Sequence, residues 1–279
     1  MRISVFYDHV RQAGEQTGLS VEEVLKRAKG FGINALECSL ESLLENPEST
    51  KKMFEKCGIA VSSIYARSQF AASDTYKAAL PLIDTAKYFG ADKVLIIPGL
   101  MEIDEHELQK AVMTTGNEAM KKIAEELKKL LVYASNNNIT VTMEDFDDAH
   151  APFASDEQLL WFVNEVKGLR ICFDTGNFMY AAVDELKAFE KLKGFISHVH
   201  CKDRRLSGFP EDERKTAIDG RIMYPAPVGY GLIHIEEIVK KLLASGYDGT
   251  FAIEHFGAFD QLGYMEQSAK WLIKNGVRQ

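Results

Sequence analysis

The sequence predicts an α/β protein folded as a single (β/α)8 barrel over residues 1–279, and three observations carry that prediction. Short apolar runs alternate strictly with amphipathic segments, which implies a parallel sheet covered on both faces by helices. Eight such units fit in this chain, and eight units in ~250 residues is the barrel count. The first strand runs out at Phe6-Tyr7-Asp8-His9 with no glycine-rich phosphate loop, which a doubly wound open sheet would need there.

The predicted strands are 2–7, 33–38, 59–65, 93–98, 139–143, 169–173, 195–200 and 250–254. A glycine precedes most of them, at Gly32, Gly58, Gly90, Gly168, Gly194 and Gly249. Each can adopt the left-handed conformation that ends a helix and releases the chain into a strand. Asn136, Asn137 and Asn138 serve the fifth strand in the same way. Helix starts are marked by the capping-box spacings Ser20-x-x-Glu23, Thr115-x-x-Glu118 and Ser155-x-x-Gln158. In the longest helix Met120, Ile123, Ala124, Leu127, Leu130, Leu131 and Ala134 share one face, leaving Lys121, Glu125, Lys128 and Lys129 to solvent. The one long irregular stretch is Arg204–Gly231, after the seventh strand, and loops of that length are usually functional.

Composition narrows the function. Hydrophobic content of 46% and charged content of 27% are ordinary for a globular protein. With 41 acidic against 33 basic residues the net charge is −8, which disfavours a nucleic-acid partner. No apolar run approaches the ~20 residues that span a bilayer, and the amino terminus is too quickly polar for a secretion signal. Cys38, Cys57, Cys172 and Cys201 show no CxxC spacing, so reduced and mostly buried thiols in a cytoplasmic protein are expected.

In a barrel the carboxyl ends of the strands build the active site. Those ends carry Tyr7, Glu37, Tyr65 with Arg67, Pro98, Glu144, Asp174, His198 with His200, and Glu254 with His255. A single carboxylate after a strand is commonly a helix cap or a surface charge, and a single histidine is commonly a packing residue. His198 and His200 are expected to divide, one facing the barrel interior and the other the helix layer. Three carboxylates gathered at one mouth repel one another unless a cation lies between them. Glu144, Asp174, one of His198 and His200, and Glu254 are therefore the candidate ligands of one divalent metal. Such an oxygen-rich set with one imidazole suits Mn2+, Mg2+ or Co2+, with Zn2+ as an alternative.

Five motifs in order carry a resemblance: Met143-Glu144-Asp145, Phe173-Asp174-Thr175-Gly176-Asn177, His198-Val199-His200-Cys201-Lys202-Asp203, Pro227-Val228-Gly229-Tyr230-Gly231 and Ile253-Glu254-His255. Over nearly its whole length the chain resembles the xylose isomerase-like TIM barrels, specifically the sugar phosphate isomerase/epimerase group. That resemblance implies one divalent ion, most often Mn2+, on Glu144, Asp174, His200 and Glu254. It also implies that Glu144 and Glu254 act as acid and base in an isomerase or epimerase that passes through an enediolate. Two positions depart from the epimerase pattern: Asn177 stands where those enzymes carry His, and Lys202-Asp203 follows the metal His where they place an Arg. The His-x-His-x-Lys-Asp form is nearer to inosose dehydratase-like members, in which Lys202 would hold or protonate an oxygen; a solvated Lys202 paired with Asp203 is the alternative. Seven histidines and an acidic balance fit endonuclease IV-type members poorly, and ligands for a second metal, as in xylose isomerase, are not evident.

Tyr7, Glu37, Tyr65, Arg67, Asn177 and Lys202, with the Phe146 region, are expected to line the pocket. Packing in the upper barrel is the alternative for Tyr7 and Tyr65, whereas Arg67 is expected on a substrate carboxylate, phosphate or hydroxyl. Arg204, Arg205, Arg214, Lys215 and Arg221 in the long loop are read as solvated; phosphate binding or contact with a second subunit of a homo-oligomer are the alternatives. The expected partner is a small carbohydrate. A metal-dependent sugar isomerase or epimerase leads, a lyase that dehydrates a cyclic polyol ketone follows, and a non-catalytic sugar-binding barrel is third.

Overall fold

Eight parallel strands meet the eight predicted runs in the computed structural model, which describes residues 1–277. They are β1 (Arg2–Phe6), β2 (Ala35–Ser39), β3 (Ala60–Arg67), β4 (Lys93–Ile97), β5 (Thr140–Met143), β6 (Arg170–Asp174), β7 (Ile196–Arg205) and, after two short strands β8 (Lys215–Thr216) and β9 (Ile222–Ala226), β10 (Thr250–Glu254). The first seven follow one another around the sheet, and β10 pairs with both β1 and β7, so the barrel is closed. Residues 278–279 of the expected domain lie outside the described residues.

Among the described residues the helices are α1 (Tyr7–Thr17), α2 (Val21–Gly30), α3 (Leu40–Glu45), α4 (Pro47–Cys57), α5 (Leu80–Phe89), α6 (Leu108–Val112), α7 (Glu118–Asn136), α8 (Asp156–Glu165), α9 (Glu185–Leu192), α10 (Ile235–Ala244) and α11 (Gln261–Lys274). None is long and apolar enough to cross a membrane. The Ser20 and Ser155 capping boxes form as expected. The third does not: Asn117 caps α7, accepting the Met120 N–H at 2.9 Å, because it stands two residues closer to the helix than Thr115. The predicted apolar face of α7 is buried except at Leu131, which is half-buried.

Four of the predicted helix-stop glycines, Gly32, Gly58, Gly90 and Gly168, have φ between 63° and 96°, and Asn138 takes the same conformation at 57°. Gly194 and Gly249 do not; Gly194 lies in a 3-10 turn, and α10 is ended instead by Gly246 at φ 80°. The four cysteines are buried thiols outside any disulfide.

The chain divides into two compact units. One contains Met1–Ser62, His198–Thr216 and Arg221 onward; the other contains Ser63–Ser197 and Ala217–Gly220. In the first, β1 pairs with β10 from Arg2↔Thr250 to Val5↔Ile253, and β10 pairs with β7 from Phe251↔Val199 to Glu254↔Lys202. In the second, β3, β4, β5 and β6 pair successively in parallel.

The stretch Arg204–Gly231 is more ordered than the sequence suggests. β7 runs on to Arg205 and pairs antiparallel with β9, Asp203 opposite Ala226, and β9 pairs with β8. Within the second unit the hairpin tip is tied at Ile218, whose N–H donates to the Tyr180 carbonyl at 3.0 Å. Arg205, expected to be solvated, donates to Asp212 at 2.6 Å and to the Tyr264 hydroxyl at 2.7 Å, with its guanidinium 4.9 Å from the Phe209 ring centre. Arg204 is buried as well.

Candidate metal centre

β7 carries the densest functional sequence in the chain. His198, His200 and Lys202 are spaced two residues apart, and a strand turns residues of that spacing to one face. All three are buried. The Nε2 atoms of His198 and His200 both meet Glu37 Oε2, at 2.7 and 3.0 Å. The expectation that the two histidines point to opposite faces is thereby overturned: only neighbours alternate, and i and i+2 do not.

Glu37 itself, expected to line the pocket, is fully buried at the end of β2. Burial pushes its carboxyl up, but the electropositive edges of the His200 and His198 rings, by charge and by hydrogen bonding, hold it well below the usual carboxylate range. It is therefore an ionised acceptor.

Glu254 ends β10 directly opposite Lys202 in the register. The Lys202 Nζ lies 2.5 Å from Glu254 Oε1, and His200 Nδ1 lies 3.1 Å from Glu254 Oε2. Burial raises the Glu254 carboxyl, yet the Lys202 ammonium and the His200 ring bring it well below its ordinary value. Lys202 is neither solvated nor paired with Asp203. That carboxylate instead accepts the backbone N–H groups of Arg204, Gly229, Gly231 and Ile233 at 2.8 to 3.2 Å.

Phe6 meets the His200 ring edge-on, with centroids 5.0 Å apart. The predicted Tyr7 opens α1, because β1 stops one residue early, and its buried ring packs on Phe54 of α4. Burial pushes the Tyr7 hydroxyl up to about 12. Phe6 was not singled out in the sequence, although it has the same strand parity as the polar Ser4, and that was the available signal.

In the second unit two further carboxylates stand at strand ends. Asp174 ends β6 fully buried, and its Oδ1 accepts the N–H groups of Gly176 at 2.7 Å and Asn177 at 2.8 Å. The turn that follows thus holds the carboxylate in one orientation. Asn177 is buried with its amide donating to the Asp145 carbonyl at 2.8 Å. Glu144 follows β5 and is 7% exposed. Tyr65 is half-buried and Arg67 exposed at the end of β3, the Arg67 guanidinium 5.6 Å from the Phe146 ring centre.

Glu144, Asp174, His200 and Glu254 each offer one ligand atom within 4.8 Å of the others, all from buried side chains. The donor set fits a divalent cation. Hard carboxylate oxygens with one imidazole nitrogen suit Mg2+ or Mn2+.

Fold and donor set together define a (β/α)8 barrel with a carboxylate–imidazole cluster at the carboxyl ends of its strands. Residues 25–275 match the family model described as xylose isomerase-like TIM barrel. The chain belongs to that family. No curated protein matches it by sequence. Among solved structures it is similar to the probable 3-DHS dehydratase AsbF of Bacillus anthracis, at 15% identity and TM-score 0.72 over 99% of this chain and 100% of that one. It is also similar to D-allulose 3-epimerase from Methylomonas sp., at 12% identity and TM-score 0.71 over 99% and 98% of the two chains. A xylose isomerase-like TIM barrel protein from Mycobacterium smegmatis, solved in complex with magnesium, matches at 18% identity and TM-score 0.68 over 92% and 88%. Likeness at these identities carries the fold.

Proposed function

We propose that the protein is a divalent-metal-dependent isomerase or epimerase acting on a sugar or sugar phosphate. The convergence of Glu144, Asp174, His200 and Glu254 is the observation that carries this reading. These four would hold the ion, with Mn2+ preferred and Mg2+, Co2+ or Zn2+ as alternatives. Once bound, a dication supplies positive charge to substrate oxygens on which negative charge grows as a neighbouring C–H proton leaves.

The proton itself moves on the protein's carboxylates. Glu254 is kept ionised by the Lys202 ammonium at Oε1, so it suits the base that takes the proton. Glu144 then returns a proton: from the opposite face for epimerisation, or at the adjacent carbon for aldose–ketose isomerisation. Arg67 with Phe146, Tyr65 and Asn177 would contact the remaining substrate groups.

Lys202 favours a second reading. A buried ammonium beside the acid–base carboxylate can protonate a departing hydroxyl, as elimination of water from a cyclic polyol ketone requires. The likeness to a dehydratase is compatible with it.

The test starts with metal analysis of dialysed protein and proceeds to Mn2+-loaded enzyme in D2O with ketoses, aldoses and inososes, followed by NMR. Deuterium entering one carbon with no loss of water is the expected result. An unsaturated product assigns the lyase instead. Absence of exchange across the panel with the ion bound would leave a binding barrel and reject both.

A further inference from the structure

We propose that Glu37 is the positioning residue of the metal centre: it fixes the tautomer and orientation of His200, so that the ring offers Nδ1, and not Nε2, to the ion. This rests on the metal-site reading above. Glu37 Oε2 receives His200 Nε2 at 3.0 Å and His198 Nε2 at 2.7 Å. Glu37 Oε2 is thus placed to accept an N–H from the Nε2 edge of each ring, which leaves Nδ1 as the His200 nitrogen facing away from it. The two rings are inclined by 82°, so their N–H groups reach one oxygen from different directions and the carboxylate cannot swing away from either. His198 therefore serves as the brace for Glu37.

The consequence falls at His200 Nδ1, 3.1 Å from Glu254 Oε2. That nitrogen is the one beside a candidate ligand oxygen, so a bound cation would meet the Nδ1 lone pair there once Nε2 carries the ring proton. Phe6 lies in register with Glu37 across β1 and β2 and closes on the His200 ring edge-on. The ring is held at Nε2 and at its side, with Nδ1 turned to the candidate ligands. A carboxylate behind a metal-bound imidazole also raises the donor strength of the coordinating nitrogen. Glu37 thus lies behind the ligand, and a substrate does not touch it.

The closing experiment has two arms. In wild-type protein labelled with 15N-histidine and loaded with Zn2+ as a diamagnetic probe, His200 is expected to carry its proton on Nε2 with the metal on Nδ1. In Glu37→Gln, which keeps the shape and an acceptor but loses the charge, Mn2+ affinity by calorimetric titration is expected to fall about 10- to 100-fold. A role confined to packing would lower the melting temperature and leave that affinity alone. Unchanged affinity, or a His200 proton on Nδ1, overturns the inference while the metal site stands. Wild-type protein that binds no stoichiometric dication overturns the site and this inference together. If the variant does not fold, the wild-type spectrum decides by itself.

Discussion

Beside the candidate ligand Glu254 lies a stacked histidine pair. His255 follows Glu254 directly, and its ring stacks on that of His9 with centroids 4.6 Å apart and planes 19° from parallel. The His255 backbone N–H donates to His9 Nε2 at 3.0 Å. Burial lowers both, His255 to about 4 and His9 well below its ordinary value, so both rings are neutral in the native state. An unfolded chain protonates a histidine near 6.5. The stability that His255 contributes is therefore complete above about pH 6.5 and is lost as pH falls through about 4. At about 1.4 kcal/mol per pKa unit this amounts to roughly 3 kcal/mol. Urea unfolding at pH 7, 5.5 and 4.5 measures it, and His255→Phe should flatten the slope in that window. Equal slopes in the variant and the wild type would refute it. The sequence disclosed these residues unevenly. The carboxylates were legible because their type and strand-end position suffice. Glu37 behind the histidines was not, since its partners lie 161 and 163 residues away and no local pattern encodes that pairing.

At the scale of elements, the segment after β7 is governed by one side chain. Asp203 gathers four backbone N–H groups, three of them from the run Gly229–Ile233, and so fixes the chain between β9 and α10. The glycines there follow from it. A Cβ at Gly231 would stand 2.1 Å from Asp203 Oδ1, and one at Gly229, with φ 83°, would stand 2.0 Å from Trp271 Nε1 in α11. Asp203→Ala leaves these donors to partial solvation and should cost about 2–4 kcal/mol. The denaturant midpoint reports the loss; a shift within error would show that water replaces the carboxylate. The run Pro227–Gly231 was visible as a motif, but its cause was not, because the crowding comes from residues distant in sequence. Helix starts were better encoded: both serine boxes are local, and the failure at Thr115 reflects a competing cap at Asn117 two residues later.

Over the whole molecule, the count of strands was the most legible property, since each strand–helix repeat announces itself within some thirty residues. The extension of β7 and its pairing with β9 escaped detection because polar sequence, Lys202 to Arg205, forms the added strand. A bound ion should act on global stability. At about one hundred times its Kd, a ligand of the native state alone adds about 2.7 kcal/mol. For a chain of this size that corresponds to a rise in Tm of roughly 5–10 °C. Differential scanning calorimetry with and without Mn2+ checks it, with Asp174→Asn as the variant expected to lose the rise. Equal shifts in both proteins would point to binding elsewhere.

Strand β7 also has a bearing on how this protein can change. One side carries His198 and His200 on Glu37 and Lys202 on Glu254, while Asp203 on the other side anchors the outgoing chain. Loss or gain of one residue before His198 would exchange the two sides, evicting three groups from the barrel interior and bringing the anchor in. Length variation is barred from this segment, and new specificities have to arise by substitution here or by growth in the hairpin beyond Arg205.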